Sequence, residues 1–205
     1  MPKKIKNAFF KNLTFEKMLQ AHYRAKKHKT YKNEIIKFEL DLENNIINII
    51  NQLKNHTYHL GKYFTFKIYE PKEREINALP YKDRIVHQWY VEEFIKPYIL
   101  PRFINTSYAC IPDKGTHKAV ENVQLQMRKF KRIYGDFWIL KCDIKKFFYS
   151  INPCVLYKIM NKYIEDNDLL LLTQILIFNN PINPNQIGIP IRKLHKSIFC
   201  KYLFK

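Results

Sequence analysis

No apolar run in this 205-residue chain approaches the ~20 residues that a bilayer span needs. The best, residues 169–178, is about half that and contains Thr173 and Gln174. A secretory leader is missing as well: residues 1–11 are basic but have no apolar stretch followed by small residues. A cytoplasmic protein with no membrane partner is therefore expected. The four cysteines, Cys110, Cys142, Cys154 and Cys200, are scattered without a Cys-x-x-Cys pair. That spacing argues against a zinc site and gives no sign of an oxidising compartment, so reduced, partly buried thiols are expected. Acids are scarce too, with 18 Asp+Glu against 36 Lys+Arg and a net charge of +18.

What is plentiful is apolar and aromatic. Hydrophobic residues make up 46% of the chain and aromatics 15%, with only four glycines. Such a composition buries a core and excludes wholesale disorder. The length allows one domain, or two small ones sharing an interface.

The positive charge is uneven. Residues 1–32 hold ten Lys/Arg and one acid, Glu16, so half of the net charge lies there. An excess of this kind favours a polyanion, because each neutralised phosphate releases a condensed counterion. Phe9, Phe10, Phe15, Tyr23 and Tyr31 interleave with the cations, which suits stacking on bases. The alternative is a solvated basic arm whose aromatics pack on the core. An anionic membrane fits less well, since no clean amphipathic face accompanies this charge.

Apolar positions at Ile35, Phe38, Leu42, Ile46, Ile49 and Leu53 step by three or four, which predicts an amphipathic helix of about five turns. Residues 63–69 alternate as a half-buried strand does, Pro71 and its charged neighbours make a turn, and residues 75–79 form a returning strand. A helix is expected from Asp83, burying Val86, Trp89 or Tyr90, and Phe94, and ending around Pro97. Thr116 is a candidate N-cap for a helix carrying Val120, Val123, Met127 and Phe130. Residues 137–142 read as a central strand buried on both faces. Asn152-Pro153 is a helix start, a second apolar helix covers about residues 168–178, and an Asn/Pro loop follows over residues 179–185. Strands and helices mix without regular alternation, which makes the class α+β.

The chemistry centres on residues 139–151, ILKCDIKKFFYSI. An apolar strand delivers one carboxylate, Asp143, followed at once by two lysines and two phenylalanines. A carboxylate at a strand edge can hold Mg²⁺, a hard cation that prefers oxygen ligands, and nearby lysines suit a triphosphate. A bulky ring beside the sugar would exclude a 2′-OH by size. The alternative is an Asp that ends a strand and a turn that packs its two rings.

This run resembles motif A of reverse transcriptases. Residues 66–88, FKIYEPKEREINALPYKDRIVHQ, resemble the first fingers motif of the bacterial group, and residues 108–119, YACIPDKGTHKA, resemble the second. Order and spacing agree from about residue 63 to 191, and the likeness is to the bacterial retroelement branch, which includes diversity-generating retroelements and group II introns. The resemblance implies the fingers and an incomplete palm of a right-hand polymerase behind a helical basic N-terminal region. It implies that Asp143 and the Ile144 carbonyl hold catalytic metal, that Phe148 screens the sugar, and that Lys72 and Arg74 clasp the dNTP. Lys82, Arg84, Lys114 and His117 become template or phosphate contacts. Each has a plainer reading: Lys72 and Arg74 solvate a turn, and Arg84 pairs with Asp83 or a neighbouring acid. Ile111 departs from the pattern, since many relatives carry arginine there.

The family's motif B begins at Gly188-Ile189-Pro190-Ile191, and Arg192-Lys193 then replaces the expected Gly-Asn. No adjacent Asp-Asp pair occurs anywhere, so the hairpin bearing Tyr-x-Asp-Asp is not encoded in these 205 residues. Asp166 and Asp168 lie too close to a helix start to replace it and read as N-caps. One AT-rich codon set for residues 192–205, read one nucleotide over, spells Gly-Asn-Tyr-Ile-Ser-Gln-Tyr-Phe-Ala-Asn-Ile-Tyr-Leu, a continuation of motif B. Residues 192–205 are therefore read as a frameshifted tail.

The resulting division is 1–60 basic helical region, 61–135 fingers, 136–191 partial palm and 192–205 tail. By resemblance the intact enzyme extends a DNA primer on an RNA template with dNTPs and Mg²⁺, through attack of the primer 3′-OH on the α-phosphate. This chain alone is expected to be inactive and to leave the apolar face of the strand at residues 137–142 and the helix after Asn152 partly uncovered. The rivals are a non-catalytic RNA-binding protein and a decayed fragment of a mobile element.

Overall fold

The computed structural model describes residues 4–69, 73–109, 111–145 and 147–178, with the backbone alone for Arg74, Phe148 and Tyr149. The class is mixed α+β, mostly helical, with one small antiparallel sheet. Lys72, Cys110, the Asn/Pro loop, motif B and the tail fall outside the described residues.

The hairpin expected from the alternating pattern is present. Strand β1 (Phe64–Ile68) pairs antiparallel with β2 (Arg74–Ala78), with Phe66 opposite Ile76. Ile76 is buried, whereas Phe64 stays exposed at the strand's start. The helices before it are α1 (Phe9–Asn12), α2 (Phe15–Lys26), α3 (Asn33–Glu39) and α4 (Leu42–Lys54). The single five-turn helix expected over residues 35–53 is thus two helices with one stripe. Ile35, Ile46, Ile49 and Leu53 all reach the core. The chain breaks at Leu40-Asp41, where the Asp41 carboxylate accepts from Asn44 Nδ2 at 2.8 Å and Asn45 Nδ2 donates back to the Phe38 carbonyl at 3.0 Å. Short polar side chains that bond the local backbone favour helix ends over helix interiors.

Helix α5 (Tyr81–Tyr90) runs directly into a π-helical segment, Val91–Ile99. The end expected around Pro97 falls at Ile99, with Pro97 inside the π-helical segment. Proline cannot donate, and its ring crowds the carbonyl four residues back; the wider π turn relieves that clash. Trp89, Tyr90 and Phe94 are all fully buried and form the centre of the core. The Trp89 indole N–H donates to the Asn12 carbonyl at 2.9 Å. Thr173 donates to the Leu169 carbonyl at 2.6 Å, so the Tyr90 hydroxyl 2.6 Å away is the donor to Thr173.

Helices α8 (Pro153–Asn161) and α9 (Asn167–Phe178) complete that core. The helix after Asn152, expected to be partly uncovered, buries Leu156 and Met160 there and leaves Val155 45% exposed. Asn152 caps α8 as expected, accepting from the backbone N–H of Cys154 and Val155 with Pro153 in the first turn. Helix α9 is apolar nearly all round, the pattern of a buried helix. Its N-cap is Asp166, whose Oδ1 accepts from Leu169 N at 3.1 Å. The other oxygen, Oδ2, accepts from Ala8 N at 2.7 Å and Phe9 N at 2.9 Å. Ile5 adds a parallel bridge to Ile164. The start of the basic region is therefore no free arm: Ile5, Ala8 and Phe9 are core residues. Among the described residues no helix is long and apolar enough to cross a membrane.

Two elements depart from expectation together. Helix α6 (Thr116–Tyr134) forms, ended by Gly135 in a left-handed conformation (φ 76°), but none of its residues is buried. Its N-cap is Gly115, not Thr116. Residues 137–142 form no strand, and they are not buried on both faces: Trp138 is 101% exposed and Leu140 87%. A helix closes its hydrogen bonds locally, whereas a strand needs a second chain segment beside it. Among the described residues none pairs with 137–142.

Candidate functional site

Asp143 lies in the irregular stretch before α7 (Phe147–Ser150) and is exposed. Its carboxylate accepts one hydrogen bond among the described residues, from the N–H of Ile144 at 2.9 Å. Ile144 is exposed, and Phe148 belongs to α7. Arg74 opens β2, opposite Ile68 in register. Among the described residues, no three His, Cys, Asp or Glu side chains converge on a point that could hold a metal ion. A single exposed carboxylate does not fit a pair of Mg²⁺ ions, which needs oxygen ligands on both sides.

Of the remaining candidates, Arg84, Lys82 and Lys114 are engaged structurally. Arg84 pairs with Glu34 and lies over the Tyr81 ring. The acid beside it, Asp83, is fully buried and turned inward, accepting from the Tyr58 hydroxyl and the Gly61 N–H, both at 2.9 Å. Burial raises the Asp83 pKa above the ordinary carboxylate value and raises that of the Tyr58 hydroxyl well above its own. A Cβ on Gly61 would meet Pro80 Cγ at 2.7 Å, so only glycine allows this approach. Lys82 reaches Gln52 Oε1 at 3.3 Å, and Lys114 donates to the Asn105 carbonyl at 2.6 Å. His117 is exposed on the first turn of α6. Cys142 is exposed and Cys154 half-buried, and neither forms a disulfide.

A buried polar network absent from the sequence reading lies under the end of α2. His22 Nδ1 is 2.9 Å from the Tyr81 hydroxyl, Nε2 is 3.1 Å from Glu39 Oε1, and the ring stacks on Phe38. Lys26 Nζ contacts the same Glu39 oxygen at 2.5 Å. The tyrosine hydroxyl stays protonated, since burial raises its pKa; it therefore donates to Nδ1, and Nε2–H donates to Glu39. The one sequence signal was position: His22 falls four residues after Met18 on the buried face of α2. A pocket of about 120 Å³, lined among others by Phe9, Leu53, Tyr58 and Leu172, has the His56–Asp168 pair at 3.2 Å in its wall. None of the sequence-predicted site residues lines it.

The His22 pKa is lowered from 6.5, chiefly by burial and against the pull of Glu39. The unfolded chain thus takes a proton near pH 6.5 that the folded chain refuses. Stability is complete above that pH and is lost as pH falls below it, by at most ~1.4 kcal/mol per pH unit for one proton. Glu39, lowered mainly by Lys26, adds a loss in the same direction below 4.5. Asp83, raised above 3.8, acts oppositely in that acid range. Thermal unfolding midpoints should fall between pH 7.5 and pH 5.5, and His22→Gln should flatten that decline while lowering the midpoint. An undiminished decline in the variant would place the titrating group elsewhere.

Comparison with protein-family models and with curated proteins finds no match.

Proposed function

We propose that this chain is the fingers and the beginning of the palm of an RNA-directed DNA polymerase. The complete enzyme would add dNTPs to a DNA primer on an RNA template, and this chain would not do so alone. One observation carries the reading. Helix α6 spans 19 residues with an apolar stripe and buries none of them, and in the apolar run after it Trp138, Ile139 and Leu140 are exposed. Contiguous apolar surface of this kind marks a missing partner surface, and the remainder of a palm supplies one. The β1–β2 hairpin, at the place of the first fingers motif, supports the same reading.

In this proposal Asp143 is one of several carboxylates, the others coming from a Tyr-x-Asp-Asp hairpin in the shifted frame. The Arg74 and Lys72 cations would take the triphosphate, and Phe148 would screen the sugar edge. The nucleotide sequence past the codon for Ile191 tests this directly. A frame shifted by one nucleotide should continue through Gly-Asn to Tyr-x-Asp-Asp and a thumb. An unrelated stretch in all three frames would overturn it.

A further inference from the structure

The turn that joins α2 to α3 carries a second feature with a function. Residues 23–37 contain six cations and one acid, and Arg24, Lys27, Lys29, Lys32 and Lys37 are exposed. The two carboxylates of α3 are already engaged: Glu34 holds Arg84, and Glu39 holds Lys26 and His22. Arg24, Lys27, Lys32 and Lys37 have no carboxylate within ion-pair distance among the described residues. Two tyrosines flank the cations. Tyr31 is 74% exposed and touches no other described ring, and Tyr23 is half-exposed with Lys26 Nζ 4.8 Å above its ring.

The turn is held in shape. Lys29 N donates to the Lys26 carbonyl at 2.8 Å, Lys32 N to the Lys29 carbonyl at 3.1 Å, and His28 takes a left-handed φ of 62°. Beneath it the His22–Tyr81–Glu39–Lys26 network ties the end of α2 to α3 and α5. Cations on a fixed turn beside open aromatic faces match a flexible polyanion that offers both phosphates and rings.

We propose that this turn is a binding surface for single-stranded RNA, with Lys27 and Lys32 on phosphates and Tyr31 stacked on a base. It rests on the polymerase reading for the choice of RNA, and it adds a surface distinct from the Asp143 region. An anionic lipid surface would use the cations but gain nothing from stacking on Tyr31.

The test uses the full chain and a fluorescent 20-nucleotide oligo(U), with phosphatidylserine vesicles in parallel. Lys27→Gln with Lys32→Gln should weaken RNA binding at least tenfold. It should also make the slope of log K against log salt shallower by about 1.4, two phosphates' worth on a single strand. Lys27→Arg with Lys32→Arg should bind as the parent does. Tyr31→Ala should lose about tenfold, and Tyr31→Phe should keep it. Unchanged RNA affinity and slope in the double Gln variant overturn the proposal, as does a loss confined to the vesicles. These outcomes are distinguishable from a failure of the polymerase reading, which is tested by the nucleotide sequence past Ile191 and by primer extension of the frame-restored protein.

Discussion

Primer extension should be undetectable for the 205-residue chain with Mg²⁺ and dNTPs, and should emerge when the reading frame after Ile191 is restored. In the restored protein Asp143→Asn should abolish extension, by roughly a thousandfold or more, while RNA binding survives. The physical ground is the carboxylate count. Two cations ~3.5–4 Å apart need oxygen ligands on both sides, and among the described residues Asp143 is exposed and belongs to no group of three candidate ligands. A metal-centred charge lowers the barrier by several kcal/mol, and each ~1.4 kcal/mol is tenfold in rate. The RNA surface proposed above uses cations remote in sequence from Asp143, so the two readouts should separate. A second readout accompanies the first. The short chain should bind a hydrophobic dye strongly, and restoration should cover α6 and residues 137–140 and lower that binding. Template-dependent extension by the unrepaired chain, lost on Asp143→Asn, would refute the carboxylate argument.

A large stability loss should come from the single substitution Asp166→Ala. This side chain is 8% exposed and accepts three backbone hydrogen bonds, from Ala8, Phe9 and Leu169. Truncation leaves those N–H groups buried without that acceptor. An unsatisfied buried donor costs ~1–3 kcal/mol and a lost N-cap ~1 kcal/mol. A total on the order of 4 kcal/mol is therefore expected in urea unfolding, a large share of a domain's stability. Asp166→Asn should fall between. It keeps one oxygen for the α9 cap but turns an NH₂ group towards the Ala8 and Phe9 donors. Amide exchange at Ala8 and Phe9 should accelerate more than at Leu169 in that variant. A loss below ~1 kcal/mol for Asp166→Ala would show that the Ile5–Phe9 segment is not anchored this way.

Several elements were legible because their causes are local. The β1–β2 hairpin followed from alternation on both sides of Pro71, and the start of α8 from an Asn-Pro pair whose amide oxygen caps the next N–H groups. The break between α3 and α4 was also local in cause, but a continuous stripe on either side of Leu40 hid it. Asp166 was readable as a cap, since its Leu169 contact lies three residues away. Its bonds to Ala8 and Phe9 span nearly the whole described chain and left no pattern in the sequence.

The sequence by itself determined the amphipathic helices, the hairpin and the concentration of cations in residues 1–32, because helix periodicity, strand alternation and charge are properties of neighbours along the chain. Tertiary structure alone decided the rest. It made Ile5 and Phe9 core residues and closed His22 against Tyr81 and Glu39. It also left residues 137–142 without a strand partner among the described residues. Burial and strand pairing depend on segments far apart in sequence, and no window of residues contains both sides of such a contact.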